Sequence, residues 1–61
     1  MTGTIDRLMK NFGFIRSGGR SYFFHASSLK NIAFAQLEIG REVTFEDVED
    51  SKGWSAVDIF I

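Results

Sequence analysis

The hydrophobic positions of the chain fall into five short runs with a period near two, separated by clusters of glycine, serine and asparagine. In the first run, residues 2–9, Ile5 and Leu8 are the inward candidates; their separation of three breaks strict alternation and predicts a β-bulge. Asn11 marks the turn into the second run, residues 12–16. Ser17-Gly18-Gly19-Arg20 is predicted as a four-residue hairpin loop whose glycines tolerate positive φ, and it leads into the third run, residues 21–25. The fourth run, residues 41–49, carries Val43 and Phe45 on one face, and Ser51-Lys52-Gly53 turns into the fifth, residues 54–60. Continued alternation from Val43 and Phe45 would send Asp47 inward. Burying a lone carboxylate is costly, so a bulge is expected here that hands the inward place to Val48.

Between the third and fourth runs, residues 26–40 mix Ile32, Phe34, Leu37 and Ile39 with polar positions. Leu29, Ile32 and Ala33 stand at i, i+3, i+4 spacing, which allows one helical turn but not a packed helix. The prediction is an all-β chain forming a small antiparallel barrel or sandwich. Closure into a barrel is favoured because it removes edge strands. No linker, repeat or low-complexity stretch divides the 61 residues, so 1–61 is read as a single domain. A chain of this size buries only about 60% of the surface it exposes when unfolded.

Composition narrows the chemistry. Cysteine is absent and there is one histidine, which excludes a disulfide framework and a closed zinc site; no metal or cofactor is expected. No leader opens the sequence and no apolar run reaches the roughly 18 residues of a membrane span, so a soluble cytoplasmic protein is the expectation. The net charge of −1 conceals an asymmetry. Residues 1–30 hold Arg7, Lys10, Arg16, Arg20 and Lys30 against Asp6, whereas residues 38–50 hold Glu38, Glu42, Glu46, Asp47, Glu49 and Asp50 against Arg41. An enzyme is not expected, because His25 has no carboxylate at a motif spacing and Gly18-Gly19 joins two strands instead of opening a helix.

Alternation sorts the rings of the second and third runs. With Ile15, Tyr22 and Phe24 turned to the core, Phe12, Phe14, Phe23 and His25 face outward together, joined by Arg16 and with Lys10 at the margin. Leaving such rings in water forgoes roughly 1.5–3 kcal/mol each, yet a dry cover over Arg16 and His25 would be a poor place for them. Rings edged by cations suit unpaired nucleobases, whose faces stack while the cations meet phosphates. The competing reading is an interaction module: the same face forms a homodimer or protein interface, and the apolar segment Ile59-Phe60-Ile61 extends a strand into a partner.

Lys10-Asn11-Phe12-Gly13-Phe14-Ile15 and Tyr22-Phe23-Phe24-His25 resemble the two ribonucleoprotein motifs of the cold-shock domain family, K-G-F-G-F-I and V-F-V-H. Gly3-Thr4-Ile5, Val43-Thr44-Phe45, Lys52-Gly53 and Ala56-Val57-Asp58-Ile59 extend the likeness over nearly the whole chain. RNA-recognition motifs carry related signatures in the opposite order within a helix-containing fold, and the order here sets them aside. The resemblance implies a five-stranded OB-fold barrel that binds single-stranded RNA and DNA without enzymatic activity, acting as an RNA chaperone; a monomer is expected over a dimer, with no membrane or small-molecule partner. It assigns base stacking to Phe12, Phe14, Phe23 and His25, with Phe34 joining from the loop, and backbone contact to Lys10 and Lys52; Phe34 as a barrel cap and Lys52 as a solvated turn residue are the plainer alternatives. His25 is expected to stack or to donate a hydrogen bond. Where the family has an exposed tryptophan on strand one, this chain has Arg7, whose guanidinium can stack on a base or meet a phosphate. Ala26 stands where many members carry another ring, and Trp54 can contact either bases or the barrel rim.

Overall fold

A computed structural model describes residues 1–51 and 53–61. Five strands form: β1 (Thr2–Leu8), β2 (Phe12–Ser17), β3 (Arg20–His25), β4 (Glu42–Asp50) and β5 (Gly53–Phe60). They close into a barrel in the order β1-β2-β3-β5-β4. Pairing is antiparallel throughout except between β3 and β5, which run parallel and meet at Phe23 and Ser55. This exception follows from the path of the chain: β4 lies between β3 and β5 in sequence, so β5 returns in the direction of β3.

The core draws on every strand. Ile5, Ile15, Tyr22, Phe24, Val43, Phe45, Ala56 and Ile59 are buried, and Leu37 from the long connection joins them. Each large side chain so enclosed is worth about 1.5–3 kcal/mol relative to exposure. The bulge expected in β1 is present: Ile5 pairs with Ile15 but Arg7 pairs with Phe14, so Asp6 is the extra residue and Leu8 regains the inner side. Gly13 lets β1 lie this close, since a Cβ there would collide with the Arg7 carbonyl oxygen and come within 2.9 Å of the Phe24 ring.

Three expectations are corrected. The β2–β3 loop is two residues long, because Ser17 pairs with Arg20; Gly18 (φ 58°) and Gly19 (φ 80°) both adopt the left-handed conformation that such a tight hairpin requires. The turn anticipated around Leu29–Ala33 is replaced by two short 3₁₀ turns, Ala26–Ser28 and Phe34–Gln36. Leu29 instead bridges to Ile59, the Lys30 N–H donates to the Ile59 carbonyl at 2.8 Å, and the Asn31 amide exchanges two hydrogen bonds with the Ile61 backbone at 3.0 and 3.2 Å. The connection is therefore spent on tying β5 down, and tertiary hydrogen bonds outcompete a marginal helix turn.

The third correction concerns Asp47. The irregularity between β4 and β5 falls between Thr44 and Glu46, which pair with Phe60 and Val57, and the extra residue lies on β5. It coincides with Asp58, whose φ of 51° is the single positive value among the described non-glycine residues. Asp47 pairs with buried Ala56 yet is itself exposed, and Val48 is 41% exposed. Neither takes an inward place, because this end of β4 runs on past the core as an extended hairpin with β5.

Candidate nucleic-acid interface

The outward side of the β2–β3 hairpin is built by register. Phe12 stands opposite His25, Phe14 opposite Phe23 and Arg16 opposite Ser21, which puts each outer residue beside another outer residue. The three phenylalanines make one cluster: ring centroids are 5.5 Å apart for Phe12 and Phe23, 5.9 Å for Phe14 and Phe23, and 6.3 Å for Phe12 and Phe14. The last two pairs meet edge to face, so each ring supports its neighbours while leaving surface toward solvent. Phe12 and Phe14 are half-buried and Phe23 is 40% exposed.

His25 ends the ladder in a fixed pose. Its Nδ1 accepts the Ser27 backbone N–H at 3.1 Å and lies 3.1 Å from the Ser27 hydroxyl oxygen. An imidazole accepting at Nδ1 carries its hydrogen on Nε2 when neutral, so the ring's free edge is a donor. Ser27 is a partner that alternation does not reveal, since the contact depends on the 3₁₀ turn that begins directly after β3.

The cations divide into two groups. Arg7 is exposed on β1 opposite Phe14, and Lys10 is exposed in the β1–β2 turn. Arg16 shares an exposed ion pair with Asp6 at 3.6 Å. Arg20 lays its guanidinium over the Trp54 ring at 4.1 Å from the centroid, and Trp54 meets buried Tyr22 edge to face at 5.9 Å. Trp54 is thus half-buried at the barrel rim, packed against the core and separate from the phenylalanine cluster. Phe34 is also half-buried, with its ring 6.2 Å from that of Phe24, and caps the core at the long connection. Lys52 lies outside the described residues.

Ser55 extends the face beyond the hairpin, because its parallel pairing with Phe23 places it next in the row, followed by half-exposed Val48 opposite Ser55 on β4. No local pattern marks these residues; their place follows from the non-local β3–β5 contact. On the same face of β4 the row then meets exposed Glu46, so the aromatic face runs from a cationic margin on β1 to an acidic residue on β4.

No helix among the described residues is long and apolar enough to cross a membrane, and those residues contain no group of three or more His, Asp or Glu side chains placed to hold a metal ion. The outward ring cluster with Arg7 and Lys10 at its margin is suited to holding flat aromatic or heteroaromatic rings beside a few positive charges.

Comparison with known proteins agrees with this geometry. A cold shock-like protein, CspD, of Bacillus cereus is 41% identical over 51 residues, which span 82% of this chain and 77% of that one. The cold shock protein CspB of Geobacillus stearothermophilus is 37% identical over 51 residues, with the same shares of the two chains. Among solved structures, a Drosophila chain described as Unr CSD456 superposes with a TM-score of 0.78 at 27% identity, covering 97% of this chain and 25% of that one. The match to the family described as the 'Cold-shock' DNA-binding domain runs over residues 1–61, and with a barrel of this topology and this ring ladder on its second and third strands, the chain belongs to that family.

Proposed function

We propose that the protein binds single-stranded RNA and DNA by stacking unpaired bases on Phe12, Phe14, Phe23 and His25, with Lys10 meeting a phosphate and Arg7 standing beside the Phe14 position. The observation that carries this reading is the cluster of three outward phenylalanine rings, within 6.3 Å of one another, on a hairpin face edged by unburied cations. Arg16 contributes less charge than its position suggests because Asp6 shares it. Phe34 and Trp54 serve the barrel first, as a cap and a rim residue. A ligand that binds only the unpaired form of an RNA shifts its folding equilibrium by mass action. The protein acts in this way as an RNA chaperone with no energy source, as a monomer in the cytoplasm.

The test is fluorescence anisotropy of labelled heptathymidine titrated with wild type and with Phe14→Ala, with duplex DNA as competitor. The substitution should weaken binding by about 1–3 kcal/mol, the value of one base–ring stack. Duplex DNA should compete poorly, because its bases are already stacked. Absence of binding by the folded wild type would overturn the reading.

A further inference from the structure

Two guanidiniums, Arg7 and Arg16, stand on the aromatic face, and a third, Arg20, lies on the other side of the β2–β3 hairpin. Arg16 is paired with Asp6 at 3.6 Å and Arg20 lies over Trp54 at 4.1 Å. Arg7 has neither an ion pair nor a ring partner among the described residues, and it is exposed. Its place depends on the β1 bulge. Pairing continued without interruption from Ile5 and Ile15 would set Asp6 opposite Phe14; the extra residue sets Arg7 there instead. Directly opposed side chains on neighbouring strands have Cβ atoms about 4.5–5.5 Å apart. A base stacked on Phe14 is therefore within reach of the Arg7 side chain.

We infer that Arg7 makes the Phe14 position prefer guanine over thymine and adenine, a deepening that rests on the base-stacking function proposed above. The guanidinium is a planar fork of donors with no acceptor. Guanine presents two adjacent acceptors, O6 and N7, on one edge, whereas adenine offers N7 beside an amino donor and thymine has its two carbonyls separated by the N3 donor; of the other unpaired bases only cytosine, through O2 and N3, offers a comparable acceptor pair. The ring of Phe14 holds the base by its face and is indifferent to its identity; the fork reads the edge. Lysine at the same place would keep the charge and lose the paired geometry. Asp6, the neighbour of Arg7 in sequence, faces Arg16 in an exposed ion pair, not Arg7.

The experiment compares heptathymidine with the set of oligonucleotides in which one thymidine at a time is replaced by deoxyguanosine, titrated with wild type, Arg7→Lys and Arg7→Ala. Circular dichroism checks that the variants fold, as expected for an exposed position. At one register, wild type should bind the guanine-containing strand about tenfold more tightly than heptathymidine, the lower part of the range for a bidentate arginine–guanine contact. Arg7→Lys should abolish that preference while keeping most of the affinity for heptathymidine, and Arg7→Ala should lose the preference and weaken both. Equal affinities for all strands, or a preference that survives in Arg7→Lys, would overturn the guanine assignment and leave the stacking function standing. Failure of wild type to bind any strand would overturn both.

Discussion

Single residues carry two unlike burdens in this barrel, close approach and ring display. Gly13 shows the first, since an added Cβ has nowhere to go between the Arg7 carbonyl and the Phe24 ring. Gly13→Ala should cost about 1–3 kcal/mol, the usual penalty of overpacking, measured by urea denaturation. Because Gly13 lies between Phe12 and Phe14, the same variant should also weaken oligonucleotide binding. Asp58 shows a backbone requirement: its φ of 51° suits Asp or Asn, and its ion pair with Lys30 at 3.5 Å is exposed and worth little. Asp58→Asn should change stability by no more than about 0.5 kcal/mol, whereas Asp58→Val, β-branched in the left-handed region, should lose roughly 1–2 kcal/mol. Equal losses in the two variants would mean that the ion pair, and not the backbone, decides the position.

At the level of elements, the β2–β3 hairpin combines a two-residue turn with the densest ring display. Gly18 and Gly19 both have positive φ, and a side chain at Gly18 would meet nothing within 4 Å. Gly18→Asn should therefore raise stability by about 0.4–1 kcal/mol, because Asn-Gly is favoured in this turn and the unfolded chain loses freedom. A lowered melting temperature would contradict the turn assignment. Much of this hairpin was legible in advance. Alternation separated Phe12, Phe14 and Phe23 from Ile15, Tyr22 and Phe24, and the three-residue step from Ile5 to Leu8 announced the β1 bulge. The 26–40 connection was not legible in the same way: the spacing of Leu29 and Ile32 resembles a helix turn, but both side chains pack on the core from a segment that is hydrogen-bonded to β5.

For the molecule as a whole, charge is arranged across the barrel. Arg7 and Lys10 stand on one side of the ring cluster and the acidic strand β4 on the other, with Glu46 on the cluster's own face and Asp47 and Glu49 on the opposite face of the strand, all exposed. Bound strands should therefore lie toward β1 and stop short of β4. With two to four phosphates neutralised, log K should fall with log salt at a slope of about −1.4 to −2.8. The double variant Glu46→Lys, Glu49→Lys should tighten heptathymidine binding severalfold at low salt and lose most of that advantage at high salt, since such charges act through a screened field. An unchanged affinity at low salt would show that the acidic side does not bound the site.

What local sequence determined was whatever one strand or one turn decides by itself: which face of β2 and β3 each ring takes, where β1 bulges, where the chain reverses, and hence an all-β chain with rings gathered on one hairpin. These follow from a side-chain period of two and from the φ preferences of glycine, which act over a few residues. Only the tertiary structure decided that β5 lies parallel to β3, that Ser55 continues the row from Phe23, that Asp47 remains in solvent, and that Arg16 and Arg20 have partners while Arg7 has none among the described residues. Those outcomes depend on barrel closure between segments distant in sequence, and on which charged and aromatic groups closure brings within a few ångströms.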